Sequence, residues 1–90
     1  MKNSSKTFLL IHGAWEGAWS WEQTIEYLEG NRHTVKAIDL PGHGDDTTPT
    51  SEITLAVYAN RVKKELAKID GQVILVGHSF AGFVISKVAE

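Results

Sequence analysis

The chain contains no cysteine, which excludes a disulfide framework, a thiolate nucleophile and a zinc–thiolate centre. Charge of one sign is also scarce, with nine Lys and Arg against eleven Asp and Glu. Neither a nucleic-acid surface nor a polybasic membrane patch is therefore expected. Long apolar runs are missing. The run nearest the N-terminus, Phe8-Leu9-Leu10-Ile11, is cut off by His12, which is too short for a signal-peptide core or a membrane span. The expectation is a soluble, cytoplasmic protein without an export signal, consistent with a cysteine-free chain in a reducing compartment. No internal repeat or low-complexity tract is visible, and ninety residues suffice for one domain with a modest core.

What is present is a repeated strand–helix pattern. Thr7 to Ile11 is a short apolar run, as in a strand buried on both faces. Ser20-Trp21-Glu22-Gln23 has the form of a capping box, and Trp21, Ile25 and Leu28 then fall on one helical face, with Gly30 as a stop signal. Thr34 to Ile38 reads as a second strand. The stretch from Asp45 to Glu52, rich in Asp, Thr and Pro, reads as a loop within the domain. A second helix fits Leu55 to Ile69, capped by Thr54 and striped by Leu55, Tyr58, Val62, Leu66 and Ile69. Val73 to Val76 is the third strand, and Phe80 to Glu90 begins a third helix. The order β-α-β-α-β-α argues for an α/β fold in three layers, a parallel sheet with helices on both faces. Ligands bind beyond the carboxyl ends of such strands. Three loops fall there, His12 to Ser20, Asp39 to Ile53 and Gly77 to Phe80, and they hold the unusual residues of the chain.

Gly77-His78-Ser79-Phe80-Ala81-Gly82 is the most informative of these. A serine at a sharp strand-to-helix turn is clear of the sheet and sits at a helix N-terminus, where free N–H groups can stabilise an oxyanion. Small residues two before and two after, here Gly77 and Ala81, let strand and helix approach. A Gly/Ser loop of purely structural role fits the same residues. A P-loop does not, because its Lys-Ser/Thr pair is missing, and the spacing is not that of a dinucleotide-binding G-x-G-x-x-G.

Taken in order, Leu10-Ile11-His12-Gly13-Ala14-Trp15, Asp39-Leu40-Pro41-Gly42-His43-Gly44 and the serine turn resemble the N-terminal half of an α/β-hydrolase. The string from His12 to Trp21 is similar to the branch of plant methyl esterases and hydroxynitrile lyases with their bacterial relatives. The resemblance implies that Ser79 is the nucleophile and that the backbone N–H groups of Phe80 and Ala14 form the oxyanion hole. His12 and His78 match structural positions. Ala81 replaces the last glycine of the commonest elbow pattern. The family order is serine, acid, histidine, so residues 1–90 are expected to be the N-terminal part of one hydrolase domain, with acid and histidine outside the chain.

Substitutes for them within the chain are few. His78 adjoins Ser79, but neighbouring side chains at a tight turn point apart. His43 and Asp39 share the end of the sheet with Ser79, whereas His33 falls at the opposite end. His43 with Asp45 and Asp46 is a weak metal pattern, and no metal or other cofactor is expected. Trp21 is expected in the core. Trp15 and Trp19 either line an acyl or alcohol pocket or cover the sheet.

Two functions follow. The first is hydrolysis of a small carboxylic ester. Gly13 bears on it, since lyases of the family tend to carry a polar side chain there to hold a cyanohydrin, leaving lyase chemistry as the alternative. The second is a non-catalytic module, inactive as ninety residues, whose apolar strand Val73 to Val76 pairs edge to edge with another copy.

Overall fold

The computed structural model describes residues 5–13 and 15–89. Strand β1 (Thr7–Ile11) is followed by a 3-10 turn at Ala18–Trp21 and helix α1 (Glu22–Gly30). Strand β2 (Thr34–Ile38) leads through a second 3-10 turn, Thr50–Glu52, to helix α2 (Leu55–Leu66). Strand β3 (Ile74–Gly77) and helix α3 (Ala81–Ala89) complete the order. The sheet is parallel, in the order β2-β1-β3. Ile11 pairs with Ile38 on one side and with Gly77 on the other, so all three strands end level.

The central place of β1 explains its composition. Successive side chains of a strand point to opposite faces, and Leu9, Leu10 and Ile11 are all fully buried. Both faces of β1 are therefore covered, which requires an unbroken apolar run. Leu9 and Ile11 form one core with Ile38, Leu40, Val62, Ala81 and Val84, uniting the sheet with α2 and α3. The chain runs outward from β1 to β2 and then back across β1 to β3. Right-handed crossovers in opposite directions place α1 and α2 on opposite faces. The expected three-layer α/β arrangement results.

Helix α2 begins as its sequence signal says, with Thr54 Oγ1 accepting the Val57 N–H at 3.1 Å, a cap that satisfies one free donor of the first turn. It ends at Leu66, before Ile69, and Leu55 at its start is exposed. Glu65, in contrast, is buried. Its carboxylate meets Lys36 Nζ of β2 at 2.7 Å and Arg61 at 2.9 Å, with Lys68 at 3.8 Å. Lys36 pairs with Leu9 in the ladder and so shares the face that α2 covers. The hydrogen bonds from Lys36 and Arg61 hold the Glu65 carboxyl at about 2, well below its ordinary value.

Helix α1 departs from expectation at both ends. Ser20 lies inside the 3-10 turn, and its hydroxyl donates to Gly17 O at 2.9 Å, so no capping box forms. Trp21 occupies the cap position instead, without a side-chain cap. At the other end Gly30 is still helical. The left-handed residue is Arg32, at φ 69°. His33 N–H donates to Leu28 O at 3.1 Å and Arg32 N–H to Glu29 O at 3.0 Å, the bonding of a Schellman motif two residues beyond the glycine. Strand β3 is shifted by one residue, and α3 starts at Ala81 because Phe80 belongs to the turn.

Candidate active site

In a parallel sheet a crevice opens at the carboxyl ends of neighbouring strands whose connections leave to opposite faces. Here those strands are β1 and β3. The chain leaving β1 heads for α1, whereas the chain leaving β3 enters α3 in the α2 layer. The His12 loop and the serine turn flank this crevice.

The serine turn is built by the strand on one side and the helix on the other. His78 N–H donates to Ile11 O at 3.2 Å, extending the β1–β3 pairing one residue beyond the strand. Ser79 then adopts φ 58°, a left-handed conformation that L-residues hold only where the surroundings impose it. Ala81 N–H and Gly82 N–H turn back to His78 O and Ser79 O at 3.1 and 2.9 Å, starting α3. The approach of strand and helix is close. A Cβ on Gly77 would stand 3.1 Å from the Ala81 Cβ and 3.2 Å from its backbone carbon, and would strike Ile85 Cδ1. The expected need for small residues at 77 and 81 is thus physical. Ser79 is exposed. Neither its hydroxyl nor the Phe80 N–H has a hydrogen-bond partner among the described residues.

The histidines and acids of the three loops are largely engaged elsewhere. His12 is fully buried. Its Nε2 must accept, because the Leu40 N–H that faces it at 2.9 Å can only donate. Nδ1 therefore carries the proton and donates to Gly13 O at 2.7 Å. Burial lowers the pKa of this imidazole, against opposing contributions from Gly13 and nearby carboxylates. Asp39 accepts from Ala18 N–H at 2.8 Å and Asp45 N–H at 3.1 Å, which ties the first loop to the second. A Cβ on Gly44, at φ 56°, would strike that carboxylate. Asp46 accepts from the amides of Gly42 and Thr48, both at 2.8 Å, and its pKa is lowered by its Thr48 and Gly42 hydrogen bonds.

His43 packs its ring between His12 and Tyr58, with centroids 4.9 and 5.9 Å away, and Tyr58 meets Phe80 edge-on at 5.4 Å. Its Nδ1 lies 3.1 Å from Pro41 O. The His43–Asp39 pair raised by the sequence is not joined to Ser79. His33 accepts from Lys6 N–H at 3.1 Å, at the amino end of the sheet as expected. Among the described residues no three His, Asp or Glu side chains converge as metal ligands.

Beside Phe80 lies a cavity of about 540 Å³ whose walls include Trp15, Glu16, His43, Ile53, Tyr58 and Phe80. Ser79 is not part of that wall. Trp15 borders the cavity although the residue is 93% exposed, whereas Trp19 is exposed outside it. Gly13 is buried, and Ala14 lies outside the described residues. Glu16 belongs to no motif that the sequence displays. Its Oε1 accepts the Gly13 N–H at 3.1 Å and lies 3.6 Å from His78 Nδ1. A carboxylate three residues after the His-Gly pair was the only available signal.

Residues 8–89 match the alpha/beta hydrolase family, and the chain belongs to it. Among curated relatives it is 46% identical to norfluorocurarine synthase 1 of Strychnos nux-vomica over 87% of this chain and 30% of that protein. It is 39% identical to methylesterase 7 of Arabidopsis thaliana over 99% of this chain and 36% of that one. The chain spans between a fifth and about a third of the length of the curated relatives it matches. Its fold superimposes on the crystal structure of polyneuridine aldehyde esterase with a TM-score of 0.87 at 35% identity, covering 94% of this chain and 34% of that one. An extracellular α/β-hydrolase from a Paenibacillus species gives 0.83 at 36% identity, over 93% and 34%.

Proposed function

We propose that this chain is the nucleophile-bearing portion of an esterase acting on small carboxylic esters. The observation that carries the reading is Ser79 itself, held at φ 58° between β3 and α3, its hydroxyl and the neighbouring Phe80 N–H without a hydrogen-bond partner among the described residues. Strain of this kind persists only where neighbouring packing enforces it, and Gly77 and Ala81 supply the close approach.

In this reading Ser79 Oγ bonds to the ester carbonyl carbon as a base removes its proton. The Phe80 and Ala14 amides hold the oxyanion. Collapse breaks the carbon–oxygen bond to the alcohol, which takes the proton, and water then releases the acid and restores the serine. The base and its orienting carboxylate come from residues beyond these ninety, following the family order of serine, acid and histidine. The names of the methylesterase relatives and of the polyneuridine aldehyde esterase structure support an ester substrate. Glycine at position 13 offers no side-chain donor for a cyanohydrin and favours hydrolysis over lyase chemistry.

The test uses a full-length hydrolase carrying this segment. Fluorophosphonate should add once by intact mass, and not at all to Ser79→Ala. A p-nitrophenyl ester should be turned over faster than mandelonitrile. An adduct that persists in Ser79→Ala rejects the nucleophile, and faster mandelonitrile cleavage replaces hydrolysis with the lyase reading.

A second reading concerns the ninety residues alone. Strand β3 pairs only with β1 among the described residues, and Ile74 is exposed. An unpaired apolar edge is a template for another chain, so the isolated segment associates through it and is inert as an esterase.

A further inference from the structure

Position 13 is a point of convergence. A Cβ there would lie 3.0 Å from His78 Nδ1, 3.2 Å from His78 O and 3.2 Å from Glu16 Oε1. The loop after β1 and the turn after β3 thus touch at one spot, with the Glu16 carboxylate on it. Glu16 closes its own turn in both directions. Its N–H donates to Gly13 O at 3.3 Å, while its Oε1 accepts the Gly13 N–H at 3.1 Å. Between the two anchors Trp15 is in the left-handed region, at φ 66°, so this turn is not one the backbone adopts unaided. The same Oε1 lies 3.6 Å from His78 Nδ1, on the residue before Ser79.

We infer that Glu16 is a positioning residue: its carboxylate, by accepting the Gly13 N–H and abutting His78, holds the loop that follows β1 at a set distance from the serine turn. The inference rests on the esterase reading above, in which Ala14, next after Gly13, and Phe80, next after Ser79, donate to one oxyanion. Two donors on separate loops stabilise that charge only if their separation is set before the charge develops. Glu16 meets both loops, at the Gly13 N–H on one and at His78 Nδ1 on the other. Misplacement of a donor by a fraction of an ångström acts on turnover rather than on substrate affinity.

The experiment compares Glu16→Ala, Glu16→Asp and Glu16→Gln with wild type and Ser79→Ala in a full-length hydrolase carrying this segment, reading kcat, KM and thermal melting on a p-nitrophenyl ester. Alanine removes the acceptor, and aspartate keeps the charge but is one methylene too short. Both should lower kcat about tenfold, less than the loss of a whole oxyanion donor, with KM and melting close to wild type. Glutamine keeps an acceptor oxygen at the same reach and should restore most of kcat. Wild-type kcat in the aspartate variant, a glutamine variant as slow as alanine, or a loss that follows melting instead of kcat would each overturn the inference. Turnover that survives Ser79→Ala would overturn the esterase reading and this inference with it. Turnover that is abolished by Ser79→Ala but indifferent to all three Glu16 variants overturns this inference alone.

Discussion

The Leu40 amide donates a buried hydrogen bond to His12 Nε2 at 2.9 Å, and through it the loop after β1 is fastened to the loop after β2. The imidazole is fully buried, and its other nitrogen holds Gly13 O. His12 thereby orders the strand ends that carry the candidate site without facing substrate.

Replacing His12 by alanine should strand the Leu40 N–H without a partner. The cost of an orphaned buried donor is about 1–3 kcal/mol, to which the vacated ring volume adds. Urea titration of a full-length hydrolase carrying this segment measures it, and an unchanged midpoint would contradict the assignment. The imidazole is also a source of pH dependence. Its folded pKa lies below the ordinary histidine value because burial disfavours the charged form. The folded state therefore binds fewer protons than the unfolded state between the two values. This contribution is complete above the ordinary value of 6.5 and is lost as pH falls through the lowered one. His12→Gln should flatten that limb.

Glu65 supplies a second, more acidic limb. Its carboxyl is held at about 2 against an ordinary 4.5 by Lys36 and Arg61. Stability from this cluster is present above 4.5 and disappears as pH falls toward 2. At neutral pH Glu65→Ala should cost about 1–3 kcal/mol, the range for losing charge-assisted hydrogen bonds, because Lys36 and Arg61 lose their buried acceptor but remain open to water. The two variants of interest, Glu65→Ala and Glu65→Gln, should both lack the acid-dependent loss. Denaturation midpoints between pH 2 and 5 give the comparison.

Gly77 tests the geometry of the serine turn. Gly77→Val would press side-chain atoms against Ala81, whose Cβ and backbone carbon stand 3.1 and 3.2 Å from the new Cβ. Overpacking of this kind costs about 1–3 kcal/mol, and α3 would be displaced from β3. The rate of fluorophosphonate addition to Ser79 should drop more than stability does. Gly77→Ala should be milder, since the flexible end of Ile85 can swing away. Equal labelling rates in wild type and the valine variant would show that the close approach is not needed.

The isolated ninety-residue chain should self-associate through the open side of β3. Light scattering across a concentration series should report species larger than a monomer. Ile74→Lys, a charge placed on an exposed position of that edge strand, should shift the distribution toward monomer. A monomer at every concentration would reject edge pairing.

Much of the fold is legible because its signals are local. The apolar run of β1, the Thr54 cap and the small residues around Ser79 each act within a few positions. Local signals mislead where two of them compete. Ser20 has the sequence of a cap, yet the 3-10 turn draws its hydroxyl to Gly17 O. Gly30 has the sequence of a stop, yet Arg32 takes the left-handed position because the chain must turn there to enter β2. Glu65 was illegible: a carboxylate on an amphipathic helix reads as solvated, and only Lys36 from another element makes its burial tolerable.

By itself the sequence determined the order of strands and helices and the position of the serine turn, since backbone preference and apolar periodicity are properties of short segments. Only the tertiary structure decided which polar groups of the three loops remain available. His12 is bonded to Leu40, Asp39 to Ala18, and Glu16 lies against His78. Those partners stand far apart along the chain and meet only when the parallel sheet brings its carboxyl ends level. A buried donor or acceptor must be satisfied by whatever group the fold delivers to it.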